Sequence, residues 1–377
     1  MGDVSTPSPS RKLVLCTASP GSGRDEYLDS VLTMATGKCV QLERLRVFDY
    51  IQQVGKAEGF EITKQRVLDL YLHNRDKMNE FRDAALQQIA RKTEQSKSPC
   101  IVSTPSVFEW KGASMFGFEK QHVELLKPES IAIIVDDLIR IKERLLKDPQ
   151  WKDKDFTLQM IAKWRRSGID HVWELAHDFK PPIPVYIIAV EHDPDVLYDL
   201  LFSQKKKVYL SFPITGKGTA GLSKVFKFAN RISNHLIVFN PLTIYDWNLV
   251  REWKSIVDKA DINGKGIPKK LKCTIPYNRS GPRVWSCSSE EIRSIVIDAR
   301  HQIVDRDYKM IDSSDCVVVH HKRKDISAGV MCEMVHANRA NKEVYAYYPF
   351  EPSPWFEYYA TQTDRDEEHF LQRLMSL

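Results

Sequence analysis

The sequence predicts an α/β protein of two domains, each a parallel sheet flanked by helices. Three observations carry this. Short apolar runs alternate with longer helical patterns along the whole chain. The alternation restarts after a basic run, Lys205-Lys206-Lys207. The length, 377 residues, suits two domains at about 100–200 residues each.

In chain order, 13–17, 39–42, 100–103, 131–135 and 185–190 read as strands of a first sheet. Helical patterns at 64–92 and 156–177 lie between them. A domain boundary is expected at 203–207, giving domains 12–203 and 204–377. Residues 1–11, small and polar with two prolines, read as a disordered tail. The second series begins with a strand at 208–212, closed by Pro213 and followed by Gly216, Gly218 and Gly221. A helix at 222–232 and a strand at 236–239 come next. Residues 263–289, rich in Gly, Pro, Lys and Ser, read as a long loop shaping or covering a pocket. Strands at 316–319 and 343–347 complete the sheet.

Composition narrows the partners. The net charge of +5 is mild for this length, and no basic stripe carries interleaved aromatics, so no nucleic-acid partner is expected. No apolar run reaches the roughly 18 residues of a membrane span, so no membrane association is expected. Seven cysteines form no C-x-x-C pair. They offer no zinc framework and indicate a reducing, cytoplasmic setting.

Residues 13–27 read L-V-L-C-T-A-S-P-G-S-G-R-D-E-Y, a strand entering a glycine turn and then a helix. Such a turn aims backbone N–H groups at a phosphate. Against the intact pattern G-x-x-x-x-G-K-[ST], Ala18 replaces the first glycine, Arg24 the lysine and Asp25 the magnesium-binding hydroxyl. The candidate cradle is Pro20, Gly21, Ser22, Gly23, Arg24 and Asp25; a plain strand–helix turn is the alternative. With Arg75-Asp76-Lys77-Met78, Thr104-Pro105 and the run 123–128 in the same order, residues 12–192 resemble the adenylate kinase family, particularly its archaeal type. The resemblance implies a P-loop kinase-like fold that takes ATP or another nucleotide, with magnesium, and Arg144 as a phosphate clamp on a lid. Arg165 and Arg166 are further clamp candidates, or parts of a solvated helix face. The altered lysine and hydroxyl positions put phosphoryl transfer in doubt.

In the second half, the acid Asp315 precedes an apolar run, and a small, glycine-bearing segment then delivers Glu333 to a helix-like stretch. A carboxylate at the carboxyl end of a buried strand, where open α/β sheets bind ligands, suggests chemistry at a sugar carbon. Plainer roles are a helix-terminal acid for Glu333, an exposed helical position for Asp307 and a structural turn for Asp315. His320 and His321 end a strand without a third ligand at metal spacing.

Tyr209-Leu210-Ser211-Phe212-Pro213, then Asp307, Ile311 and Asp315, then Ser327, Gly329, Glu333 and Ala337 resemble the nucleoside 2-deoxyribosyltransferase family and its nucleotide-hydrolysing relatives. That resemblance implies a flavodoxin-like domain and cleavage or transfer at the N-glycosidic bond of a nucleoside or nucleotide. It implies Glu333 as nucleophile, Asp307 as the acid assisting departure of the base and Tyr209 as the residue orienting Glu333. Ser327, Gly329, Pro213 and Asp315 would bind substrate. No cofactor is required for such chemistry. Relatives complete their sugar sites with a neighbouring subunit, so a homo-oligomer is expected, with the aromatics of 347–359 at its interface. The rival reading is a nucleoside monophosphate kinase with an accessory binding domain, or a non-catalytic nucleotide sensor.

Overall fold

A computed structural model describes residues 12–214, 219–263, 266–277 and 281–377. The expected tail 1–11, Gly216 and Gly218 lie outside the described residues. The chain divides into two compact units, Met1–Tyr186 and Ile187–Leu377.

The first unit is built on β1 (Leu13–Ala18), β2 (Glu43–Arg46), β3 (Cys100–Pro105), β6 (Ser130–Val135) and β7 (Val185–Ala189), in the order β2-β3-β1-β6-β7. β1 runs parallel to both neighbours. It is buried at every position, as a central strand covered on both faces must be. Between β3 and β6 a hairpin of β4 (Val107–Trp110) and β5 (Ala113–Phe116) is inserted. Its Phe108 and Trp110 pack edge-on against Trp151 and Trp164.

The second unit carries β8 (Lys207–Ser211), β9 (Ile237–Phe239), β12 (Cys316–His320), β13 (Glu343–Tyr347) and β14 (Gln362–Asp364). All are parallel, in the order β14-β13-β12-β8-β9. From β9 inward this is the 2-1-3-4-5 order of flavodoxin-like sheets. The chain leaves β8 on one side for β9 and returns on the other as β12. The strand order therefore reverses between β8 and β12, and in sheets of this kind ligands bind outside the carboxyl ends of the strands at that reversal.

The structure differs from the expectations in three places. The expected strand 39–42 is displaced to β2, because Cys39 takes a left-handed φ of 55° at the end of the preceding helix. The helical pattern 64–92 is two helices, Val67–His73 and Arg75–Gln95, broken at Asn74. The expected loop 263–289 contains an antiparallel ribbon, β10 (Lys270–Tyr277) and β11 (Gly281–Ser288), running into the 24-residue helix Ser289–Asp312. Its cross-strand hydrogen bonds replace the apolar periodicity that a sequence reading needs. The division between the two units falls within β7, between Tyr186 and Ile187; past that strand, buried His192 accepts the Asn240 N–H at 3.0 Å.

Among the described residues no helix is long and apolar enough to cross a membrane.

Candidate functional site

The strand β8 alternates its two faces. Val208 and Leu210 join an apolar cluster with Val225, Phe228, Ile232, Phe370 and Leu374. Tyr209 and Ser211, displaced by one position, point to the opposite face. Toward that face the helix Ala328–Arg339 presents Val330, Met334 and Ala337. Glu333 falls within this stripe, three residues after Val330 and four before Ala337, so the helix carries a carboxylate where its period calls for an apolar side chain.

Both carboxylate oxygens are taken. Tyr209 Oη donates to Glu333 Oε1 at 2.9 Å, and Ser211 Oγ donates to Oε2. Tyr209 and Ser211 are fully buried. Glu333 keeps some surface accessible while protein surrounds its carboxylate. Burial, reinforced by the charge of Asp307, pushes Glu333 up to about 8, against the opposing pull of the Ser211 and Tyr209 hydroxyls. Burial and the two carboxylates hold the Tyr209 phenol well above its ordinary range.

Asp307 lies on the buried stripe of the helix Ser289–Asp312 with Arg306, Met310 and Ile311. Arg306 donates to Asp307 Oδ1 from Nε at 3.2 Å and from a terminal nitrogen at 3.0 Å. Burial raises Asp307 above the usual carboxylate range, and the guanidinium opposes that rise. The expected exposed alternative for Asp307 does not hold, since it is 7% exposed.

The remaining predicted residues divide. Pro213 is buried two positions beyond Ser211. Ser327 is the N-cap of the Glu333 helix, and its N–H donates to His321 Nε2 at 3.2 Å. Among the described residues, a Cβ added at Gly329 would meet only Ser327 Oγ, at 3.8 Å, so this helix start borders open space. Asp315 is a correction. It precedes β12, and its carboxylate takes the Lys207 N–H at 2.8 Å and the Lys207 ammonium at 3.0 Å. It ties together the amino ends of β8 and β12, the edge of the sheet opposite Ser211, and stands apart from the site. His320 donates or accepts at Glu367 Oε1, 2.9 Å away.

Two members were missed in the sequence. Ser211 was legible as the period-2 partner of Tyr209. Arg306 was legible as a charge four residues from both Gln302 and Met310 on one buried stripe.

In the first unit, Gly21 and Gly23 take φ of 74° and 78°, which side chains rarely adopt. A Cβ at Gly23 would stand 2.7 Å from Arg144 Cζ. Arg144, on the helix Leu138–Lys147, donates to Asp136 at 2.7 Å, Glu26 at 3.0 Å and the Gly21 carbonyl at 3.3 Å. It braces the turn from its own helix and also lines the cavity beside the turn. Arg165 is likewise buried and donates to the Asp136 carbonyl.

Asp25 is clasped by Arg24 at 3.0 Å and by the buried Arg44 at 2.5 Å. Those guanidiniums hold its carboxylate below its ordinary range although burial opposes them. The turn, including Pro20, Gly21, Ser22, Gly23, Arg24 and Asp25, lines a cavity of about 600 Å³ that also takes in Tyr71, Phe108 and Trp151. The glycine turn and helix start fit an anion. The Asp25 position does not fit magnesium held by a hydroxyl, because its carboxylate is already neutralised by two arginines.

No protein-family model matches the sequence, and no curated protein matches it at a significant level.

The buried Glu333 makes stability depend on pH. Between about pH 4.5 and about 8 the folded chain retains a proton on Glu333 that the unfolded chain has released. Stability contributed by that proton is complete below this window and is lost as pH rises through it. The Tm of Glu333→Gln should therefore fall less than that of the parent between pH 5 and 8. Parallel Tm profiles, followed by circular dichroism, would count against a buried, protonated Glu333.

Proposed function

We propose that the second unit cleaves, or transfers across, the N-glycosidic bond of a nucleoside or nucleotide. One observation carries the reading. A carboxylate sits at the strand-order reversal, between two buried hydroxyl donors and within the field of a second buried carboxylate. The order of motifs, which resembles nucleoside 2-deoxyribosyltransferases, supports it.

The anomeric carbon becomes cation-like as the base departs. Glu333, once ionised, attacks that carbon and the C–N electron pair leaves with the base. The base takes a proton, for which Asp307 is the proposed donor. The resulting glycosyl ester is then released by water or by another base, so one hard step becomes two. Tyr209 fixes the plane of the Glu333 carboxylate. The start of the Ser327 helix is the proposed place for the 5′ end of the sugar.

The first unit is proposed to bind a nucleotide while serving poorly in phosphoryl transfer. Its glycine turn suits a phosphate, but Arg24 and Asp25 are committed to each other and to Arg44. The whole is proposed to be a homo-oligomer. Trp355 and Tyr358, 70% and 73% exposed, lie on the helix Pro354–Tyr359, which packs against the Glu333 helix. Exposed aromatics of this size are favoured in interface cores. Phe356 and Tyr348, expected in the same patch, are instead core residues.

Three outcomes test these readings. Glu333→Gln should lower base release from a nucleotide panel by about 10³-fold or more; wild-type turnover in the folded variant, measured by chromatography, would refute the nucleophile. The native chain should bind nucleotide by calorimetry yet form little ADP from ATP and AMP, and Arg24→Lys with Asp25→Thr should increase ADP formation. Efficient ADP production by the native chain would overturn that assignment. Trp355→Ser with Tyr358→Ser should lower the mass seen by light scattering at micromolar concentration. A native monomer would dispose of the oligomer.

A further inference from the structure

We propose that Ser211 is a positioning residue for Glu333, holding the second carboxylate oxygen so that the carboxylate is aimed and stabilised by hydroxyls from one strand. The inference rests on the proposed glycosidic chemistry and adds a residue to it.

The geometry carries the argument. Tyr209 and Ser211 are two apart on β8 and so share a face. Each donates to a different oxygen of Glu333. A single hydroxyl would leave the carboxylate free to swing about the bond carrying it; two donors on two oxygens fix its plane. Neither hydroxyl is reached by water, since Tyr209 and Ser211 are fully buried.

The cluster also defines what Ser211 must supply. Arg306 is engaged with Asp307, and the hydrogen bonds to the Glu333 carboxylate come from the hydroxyls of Tyr209 and Ser211. A buried carboxylate with only neutral donors ionises with difficulty, and each donated hydrogen bond favours its charged form. The groups facing Glu333 from the packed elements are Tyr209 and Ser211 from β8, and Asp307 and the Tyr308 phenol from the helix Ser289–Asp312. Loss of the Ser211 hydroxyl removes one of the two interactions that favour ionisation, while Asp307 still opposes it. The attacking form then appears only at higher pH.

The full chain is tested as Ser211→Ala, Ser211→Cys and Ser211→Thr. The Glu333 carboxyl is followed by carbon-13 NMR with labelled glutamate and assigned by its absence in Glu333→Gln. In Ser211→Ala that carboxyl should titrate at higher pH than in the parent. The acid limb of kcat/KM should move the same way. kcat should fall about 10- to 100-fold with KM changed less than about threefold. Ser211→Thr keeps the hydroxyl and should restore the parental titration. Ser211→Cys, close in size and a weaker donor, should lie between, and it decides the matter if Ser211→Ala fails to fold. An unshifted titration in folded Ser211→Ala or Ser211→Cys would overturn the proposal, as would a change confined to KM. If the parent releases no base from any nucleotide, the glycosidic reading fails, and the titration alone then decides whether Ser211 holds Glu333.

Discussion

The second unit is organised around a carboxylate removed from water without a cation of its own. Burying a charge is costly unless it is paired or hydrogen-bonded. Here Tyr209 and Ser211 contribute the hydrogen bonds, while burial and the charge of Asp307 still push Glu333 up to about 8, so that protonation meets part of the remaining cost. Every nearby choice is tied to that condition. β8 must present two hydroxyls on one face and apolar groups on the other. The Ala328–Arg339 helix must spend a core position on an acid. The second acid, Asp307, is accommodated only because its chain neighbour Arg306 is buried with it.

The first unit handles charge in the opposite way. At the glycine turn, Arg24 and Arg44 close on Asp25, while Arg144 closes on Asp136 and Glu26. The turn is thus braced by ion pairs within the unit. A cradle of this kind keeps the backbone geometry that suits an anion, yet holds its arginines in place. Binding without efficient transfer is the proposed consequence, since phosphoryl transfer depends on cations positioned to neutralise charge on the phosphoryl group, and here the arginines face acids instead.

The α/β class and most strands were legible because buried parallel strands are short apolar runs between helical periods. β1, β6 and β12 stand out in this way. β2, with the sequence Glu-Arg-Leu-Arg, carries no such signal; as an edge strand it is stabilised by backbone pairing with β3. The β10–β11 ribbon was hidden for the same reason, since most of its described side chains face solvent. Tyr209, Asp307 and Glu333 were legible as polar residues within strand and helix patterns. For Asp315 the plainer of the two roles read from the sequence, a structural turn, is the one the fold fits: an acid before a strand lies at its amino end, and the parallel register with β8 makes this the edge away from Ser211.

By itself, the sequence determined the period of each element, and with it which residues share a face: Tyr209 with Ser211, and Val330 with Glu333 and Ala337. It also determined the glycine turn and the loss of its lysine and hydroxyl. Tertiary structure alone decided which faces meet. The pairing of β12 beside β8 brings Glu333, 122 residues beyond Ser211, onto its hydroxyl. The fold of the first unit commits Arg44 and Arg144 to acids that lie far from them in the chain. Hydrogen bonds and ion pairs act over a few ångströms of space, and sequence separation carries no record of that distance until the sheet is formed.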